Sequence, residues 1–429
     1  MKTKAIRLYG VNDIRLEEFE LPEIREDEIL AKVVTDTICM SSHKLAVQGA
    51  KHKRVRYDLS KQQPIVGHEF CGTIEKVGAK WAGQFRAGDK FAMQPAINYP
   101  DAAGVPTLWS PGYSYEYIGG GATFVIIPRE VMEMNCLLDY AGDNFYMGSL
   151  AEPVSCIAGA FHAQYHTRGS VHSMGIAEGG ALALLAAAGP MGLAAIDYAI
   201  HNPRRPSRLV VTDIDGERLE RAARLLSREE AEKNGVELHY VNINDRSGPS
   251  NQEELPEQLK ALNGGKLFDD VFVFAPVKPV LELGDRLLGH DGCLNFFAGP
   301  TDRAFSAGIN YYNVHYESHH IIGTTGGSTG DMKESLAMMA QGKLNPVFMI
   351  THIGGLDAAA QATIDLDKIP GGKKLIYTHK KLPLTAIDDF ETKGRTDPFF
   401  AKLAEICGRH GKLWNSEAEN YLLTNAPGI

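Results

Sequence analysis

The chain lacks the marks of several protein classes. Its 429 residues include six cysteines, Cys39, Cys71, Cys136, Cys156, Cys293 and Cys407, and no two form a CxxC pair. A dense disulfide framework is therefore not the organising principle, and a reducing cytoplasm is the expected compartment. Excess positive charge is missing too. The net charge is -9, which gives no overall basic field for nucleic acid, and none is expected as a partner. The N-terminal MKTKAIRLYG has no long apolar run of the secretory kind. One uncharged stretch, residues 179–196, approaches the length of a membrane span. Gly189-Pro190 interrupts it, so a buried strand, a tight turn and a helix start explain it better than a span. No repeat of solenoid period is present.

What remains is ordinary globular composition, 44% hydrophobic and 23% charged, at a length that suggests two or three domains. Up to about residue 150 the chain reads as short strands and turns, at 5–8, 29–34, 72–78 and 88–93, which predicts a compact, mostly β domain. The pattern changes near residue 157. Strands at 181–186, 208–212, 270–274 and 294–298 alternate with helical stretches at 193–200 and 217–226, which predicts a parallel sheet with crossover helices. Beyond about residue 380 the chain is more polar and less periodic, with one short helix expected at 399–407.

Ala187-Ala188-Gly189-Pro190-Met191-Gly192 lies between a predicted strand and a predicted helix. It matches G-x-G-x-x-G with Ala187 in place of the first glycine. Gly189 lets the backbone approach a pyrophosphate, and Gly192 lets the helix pack closely on the strand. The helix start then offers amides and a partial positive charge to the phosphates. Asp213 ends the next strand, about twenty residues on, where an acidic side chain accepts ribose hydroxyls. Its other available role is a helix N-cap. A carboxylate there repels a 2′-phosphate, so NAD(H) is favoured; Arg218 nearby keeps NADP(H) open.

Cys39 follows the strand that ends near Thr35. His68 and Glu69 stand in Gly67-His68-Glu69, and Glu152 stands in Leu150-Ala151-Glu152-Pro153. Each alone is unremarkable. A buried cysteine is usually a small hydrophobe, and a buried histidine is usually structural. Together, and in this order before the glycine turn and Asp213, they resemble the zinc-dependent medium-chain dehydrogenases. Within that family Glu152 resembles the polyol dehydrogenases. The tail from Lys412-Leu413-Trp414-Asn415 onward extends the likeness to the branch that reduces L-sorbose 1-phosphate.

The resemblance implies an α/β fold of two parts. A Rossmann doubly wound parallel sheet is expected at 157–322. A mostly β, GroES-like catalytic domain is expected from 1–156 and from the return at 323–429, which carries the C-terminal extension. It implies one catalytic zinc on Cys39 and His68 with Glu69 or Glu152, and a dimer or tetramer. Such zinc has about three protein ligands and an open position, where it polarises a carbonyl as hydride moves to or from nicotinamide. The candidate catalytic residues are Ser41, Glu69 and Glu152, with Ser41 in the position of a proton-passing hydroxyl. Two positions depart from the family pattern: Ser42 stands where many relatives have Asp, and Lys44 where a relay histidine often stands, with His43 one place earlier. The lobe near 95–115 that carries four zinc-binding cysteines in many relatives has none, so no structural zinc is expected.

Lys51, Lys53, Arg54 and Arg56 form a cationic segment between the two metal motifs, either a clamp for a substrate phosphate or a solvated loop. The expected reaction is hydride transfer between nicotinamide and a sugar-phosphate carbonyl, L-sorbose 1-phosphate to D-glucitol 6-phosphate by resemblance. The alternatives are a dehydrogenase of unphosphorylated polyols, a zinc-free reductase on the same fold, and a non-catalytic dinucleotide-binding sensor.

Overall fold

The computed structural model describes residues 1–100, 103–244 and 254–429. The chain divides into two compact units. One comprises Met1–Pro153, Ser328–Ala340 and Pro346–Ile429. The other comprises Val154–Gly327 and Gln341–Asn345.

In the second unit the strands Ala181–Leu185, Arg208–Asp213, Glu237–Asn242, Phe268–Val273, Leu288–Phe296 and His320–Gly323 form one six-stranded sheet. Every neighbouring pair is parallel. ALALL at 181–185 is buried throughout, as a strand covered on both faces must be. It pairs with Arg208–Asp213 on one side and Phe268–Val273 on the other. The strand order therefore reverses at its end, where ligands bind in doubly wound sheets. The strand expected from residue 294 starts earlier, at Leu288, with a polar, irregular stretch around Asp291, where φ is +59°, before the regular ladder resumes at Cys293.

The first unit is built on an eight-stranded, largely antiparallel sheet. Ile29–Ile38 lies at its centre, flanked by Phe70–Val77 and by Lys373–Tyr377. Alternation is weak in Ile29–Ile38, because most of both faces are buried. The end of the chain thus lies beside its beginning, one strand from the metal motifs.

The polar tail contains the expected short helix, at Pro398–Arg409, and two more that the sequence did not announce. It forms the helices Phe390–Gly394, Pro398–Arg409 and Ser416–Asn425. Phe400, Leu403, Ile406, Trp414, Ala418 and Leu422 join a core with Tyr146 and Leu150. Short helices give few turns in which a period can show, and Glu419 occupies a core position in the last one, which hides its apolar face. Among the described residues, no helix is long and apolar enough to cross a membrane.

Candidate metal centre and dinucleotide turn

Three adjacent strands of the first unit bring the metal motifs together. Cys39 is the N-cap residue of the helix Met40–Gln48, directly after Ile29–Ile38. His68 and Glu69 immediately precede Phe70–Val77. The turn into His68 needs glycine: Gly67 has φ +103°, and a β-carbon there would stand 2.3 Å from the Asp36 carboxylate. The Cys39 thiol, an imidazole nitrogen of His68 and a Glu69 oxygen lie within 4.8 Å of one another. His68 and Glu69 are buried, so water does not compete for them.

Both Glu69 oxygens already have partners: the Lys373 ammonium bonds one and the Thr37 hydroxyl the other. The Glu69 backbone N–H donates to Asp36 at 3.2 Å. Burial, and then the Glu69 charge, hold the Asp36 carboxyl well above its ordinary range. Burial also raises the Cys39 thiol and lowers the His68 imidazole. Burial works against the Lys373 ammonium, but Glu69 and Cys39 outweigh it and raise its pKa. Glu152 lies on the helix Tyr146–Ala163, buried and outside the 4.8 Å group. Burial raises its carboxyl and the nearby His68 opposes that, so Glu152 stands within electrostatic reach of the group.

Ser41 does come to the centre. Its hydroxyl lies 3.1 Å from Cys39 Sγ and 3.2 Å from His68 Nε2. It accepts a hydrogen bond from the Tyr113 hydroxyl at 2.8 Å, and that hydroxyl is also 3.2 Å from His68 Nδ1. His52 stacks on the Tyr113 ring at 5.3 Å, and the Arg54 guanidinium lies over the same ring at 5.0 Å. Burial and then Arg54 push His52 down to about 4. Among the described residues, the Arg54 Nε is buried without a hydrogen-bond partner. The other three cations of the segment are exposed, with Arg56 over Trp109 at 5.7 Å. His43 faces away from the metal group: its Nδ1 lies 3.2 Å from the Thr363 carbonyl and its Nε2 3.8 Å from Asp367.

Tyr113, Thr37 and Lys373 were not among the sequence candidates. Lys373 is 304 residues from Glu69, and no local spacing links them. Its one signal is Lys373-Lys374 opening an apolar strand, where two buried lysines face opposite sides of the sheet. Lys374 is spent on the carbonyls of Ile369, Pro370 and Gly372.

In the second unit the glycine turn follows Ala181–Leu185. A β-carbon on Gly192 would stand 1.9 Å from the Ala187 carbonyl oxygen, so only glycine fits there. A β-carbon on Gly189 would meet nothing within 4 Å, so the space beside it is open to a ligand. Gly189 begins the helix Pro190–His201 and supplies no side-chain cap, which leaves the first amides to an anion. Asp213 is buried and braces the turn, accepting from the Ala188 N–H at 2.9 Å and the Asp215 N–H at 3.1 Å. The N-cap of the next helix is Asp215, which also pairs with Arg218 at 3.1 Å.

A thiol, an imidazole and a carboxylate converging in a buried site suit catalytic zinc, and an uncapped helix start beside an open glycine suits a dinucleotide. The chain is a member of the zinc-binding dehydrogenases: residues 25–135 match the alcohol dehydrogenase GroES-like domain and 190–341 the zinc-binding dehydrogenase domain. It is 52% identical to mannitol-1-phosphate 5-dehydrogenase of Aliivibrio fischeri, across 98% of this chain and 97% of that protein. It is 47% identical to L-sorbose 1-phosphate reductase of Klebsiella pneumoniae, across 100% and 98%. Its fold matches galactitol-1-phosphate dehydrogenase of Escherichia coli with a TM-score of 0.65 at 19% identity, covering 87% of this chain and 100% of that one.

Proposed function

We propose that the enzyme interconverts a ketose phosphate and a polyol phosphate, L-sorbose 1-phosphate and D-glucitol 6-phosphate, with NAD(H) as the hydride carrier. The observation that carries this is Arg54. It joins the metal group through one ring, since Tyr113 lies beneath its guanidinium and bonds both Ser41 and His68. An Arg guanidinium with an unused N–H is a donor for phosphate. The names of the two close relatives support a phosphorylated sugar.

Cys39 and His68, with Glu69 or Glu152, would hold the zinc, which when bound polarises the carbonyl and makes the alcohol more acidic. Ser41 touches both Cys39 and His68, and its hydroxyl would pass the substrate proton, with Tyr113 orienting it. Lys373 and Thr37 hold the Glu69 carboxylate in one orientation. Arg54 would take the phosphate, with Lys51, Lys53 and Arg56 adding an outer cationic field. Gly189, Pro190, Met191 and Gly192 would seat the pyrophosphate and Asp213 the ribose. Two features favour NAD(H): Asp213 sets a negative charge where a 2′-phosphate would lie, and Arg218 is paired with Asp215.

A second reading follows from the 52% identical relative, whose name sets the phosphate at carbon 1 and the oxidised carbon at 5. Such a substrate holds its phosphate far from the carbon on the metal. Arg54, one aromatic ring from His68, suits a phosphate on the neighbouring carbon instead. Nicotinamide absorbance with L-sorbose 1-phosphate, D-fructose 6-phosphate and the two free sugars, with and without a chelator, separates the readings. Fast chelator-sensitive oxidation of NADH by L-sorbose 1-phosphate is expected. Preference for a free sugar would replace the proposal with a polyol dehydrogenase.

A further inference from the structure

Glu419 lies in the C-terminal helix Ser416–Asn425, yet it is 1% exposed, a costly place for a carboxylate. It is fully engaged at the start of the helix Tyr146–Ala163. Its Oε2 accepts from the Phe145 N–H at 2.7 Å and its Oε1 from the Tyr146 N–H at 3.0 Å. The Tyr377 hydroxyl donates to Oε1 at 2.9 Å, and Trp414 Nε1 donates to that hydroxyl at 2.8 Å. Asn144, beside the same helix start, donates to Ser416 at 3.1 Å. A carboxylate at a helix N-terminus satisfies amides that have no partner inside the helix and meets the positive end of its dipole. Here that carboxylate comes from 273 residues further along the chain.

The capped helix carries Glu152, about 9 Å along its axis from Tyr146. Leu150 and Glu152 point about 200° apart around that axis. Leu150 packs into the core formed by the tail, with Phe400, Leu403, Trp414 and Leu422. Glu152 faces the other way, within electrostatic reach of His68. The tail therefore grips this helix at its start and along the face opposite the metal group.

We propose that the C-terminal tail is a working part of the metal centre, with Glu419 as a positioning residue that fixes the axial position of Glu152. The segment is thus more than an appendage to a finished dehydrogenase. It decides where the fourth candidate ligand stands.

The test uses the full-length protein loaded with zinc, and separately with cobalt(II) as a visible probe of ligand geometry. Glu419→Gln keeps the side chain's size but turns an amide NH2 toward a backbone N–H. Its zinc content is expected to stay at the wild-type level. The cobalt absorption bands should shift, and kcat with D-glucitol 6-phosphate and NAD should fall at least about tenfold, the usual cost of disturbing a ligand's support. KM for NAD should not change. Tyr377→Phe removes one donor to Glu419 and keeps the ring, so a smaller shift in the same direction is expected; it also carries the test should Glu419→Gln not fold. A lowered Tm with unchanged cobalt bands and kcat in the folded variants would overturn the proposal and make the tail a brace only. The cobalt spectrum needs no substrate, so an error about the sugar leaves this result readable.

Discussion

Lys373 shows what a single side chain contributes. The Glu69 carboxylate is 1% exposed, and in so dry a place a carboxylate charge needs partners, which Lys373 and Thr37 supply. Lys373→Ala leaves that charge uncompensated. We expect a loss of about 3–5 kcal/mol in denaturant unfolding, the cost of removing one partner from a buried pair. At Arg54 the effect falls on the substrate instead. Arg54→Ala should raise KM for L-sorbose 1-phosphate about ten- to a hundredfold and leave free L-sorbose nearly unchanged, because only the phosphorylated sugar loses a charge-assisted contact. Equal losses for both sugars would return the segment to a solvated loop. Cys39, His68 and Glu69 could be picked out because their motifs stand in a recognisable order. Lys373 could not, because its partner is assembled by the fold alone.

The helix Pro190–His201 carries a prediction at each end. At its start, Gly192→Ala puts a methyl 1.9 Å from the Ala187 carbonyl oxygen, so the helix must retreat from the strand it packs on. NAD affinity measured by fluorescence titration should fall, and wild-type affinity would show that the dinucleotide seats elsewhere. At its end, His201 Nδ1 lies 2.9 Å from Asp197 Oδ1. That bond raises the His201 pKa above 6.5 despite burial. A raised folded-state value means that the stabilisation is complete below pH 6.5 and is lost as pH rises through the raised pKa. The Tm gap between wild type and His201→Asn should therefore be widest near pH 6 and narrow toward about pH 9. A gap independent of pH would mean that His201 acts through packing. This helix was legible because apolar residues, the Gly-rich turn and the preceding strand all agree. Of the tail helices only Pro398–Arg409 was legible, as the stretch 399–407; in Ser416–Asn425 a buried glutamate interrupts the periodic pattern.

Across the whole molecule, the parallel sheet and the β-rich first part follow from local patterns, while the pairing of Lys373–Tyr377 with Ile29–Ile38 does not. That pairing is non-local, and no run of residues announces it. The tail beyond that strand matters for a separate reason, the core it completes. A chain stopped after residue 380 loses Phe390, Phe400, Trp414 and Leu422 from the core that holds Tyr146 and Leu150. Such a chain should lack a cooperative thermal transition by calorimetry. A truncated protein that melts like the full chain would show that the tail is dispensable.

The 304-residue gap between Glu69 and Lys373 also has a meaning in time. At translation rates of roughly 5–20 residues per second, Glu69 is made about 15–60 s before its lysine. Throughout that interval the nascent chain carries Cys39, His68 and Glu69 without the cation that later holds Glu69 still. The arrangement that Lys373 completes around Glu69 is therefore reached only after most of the chain has been made, and a ribosome that stalls near the end of the message leaves it undone.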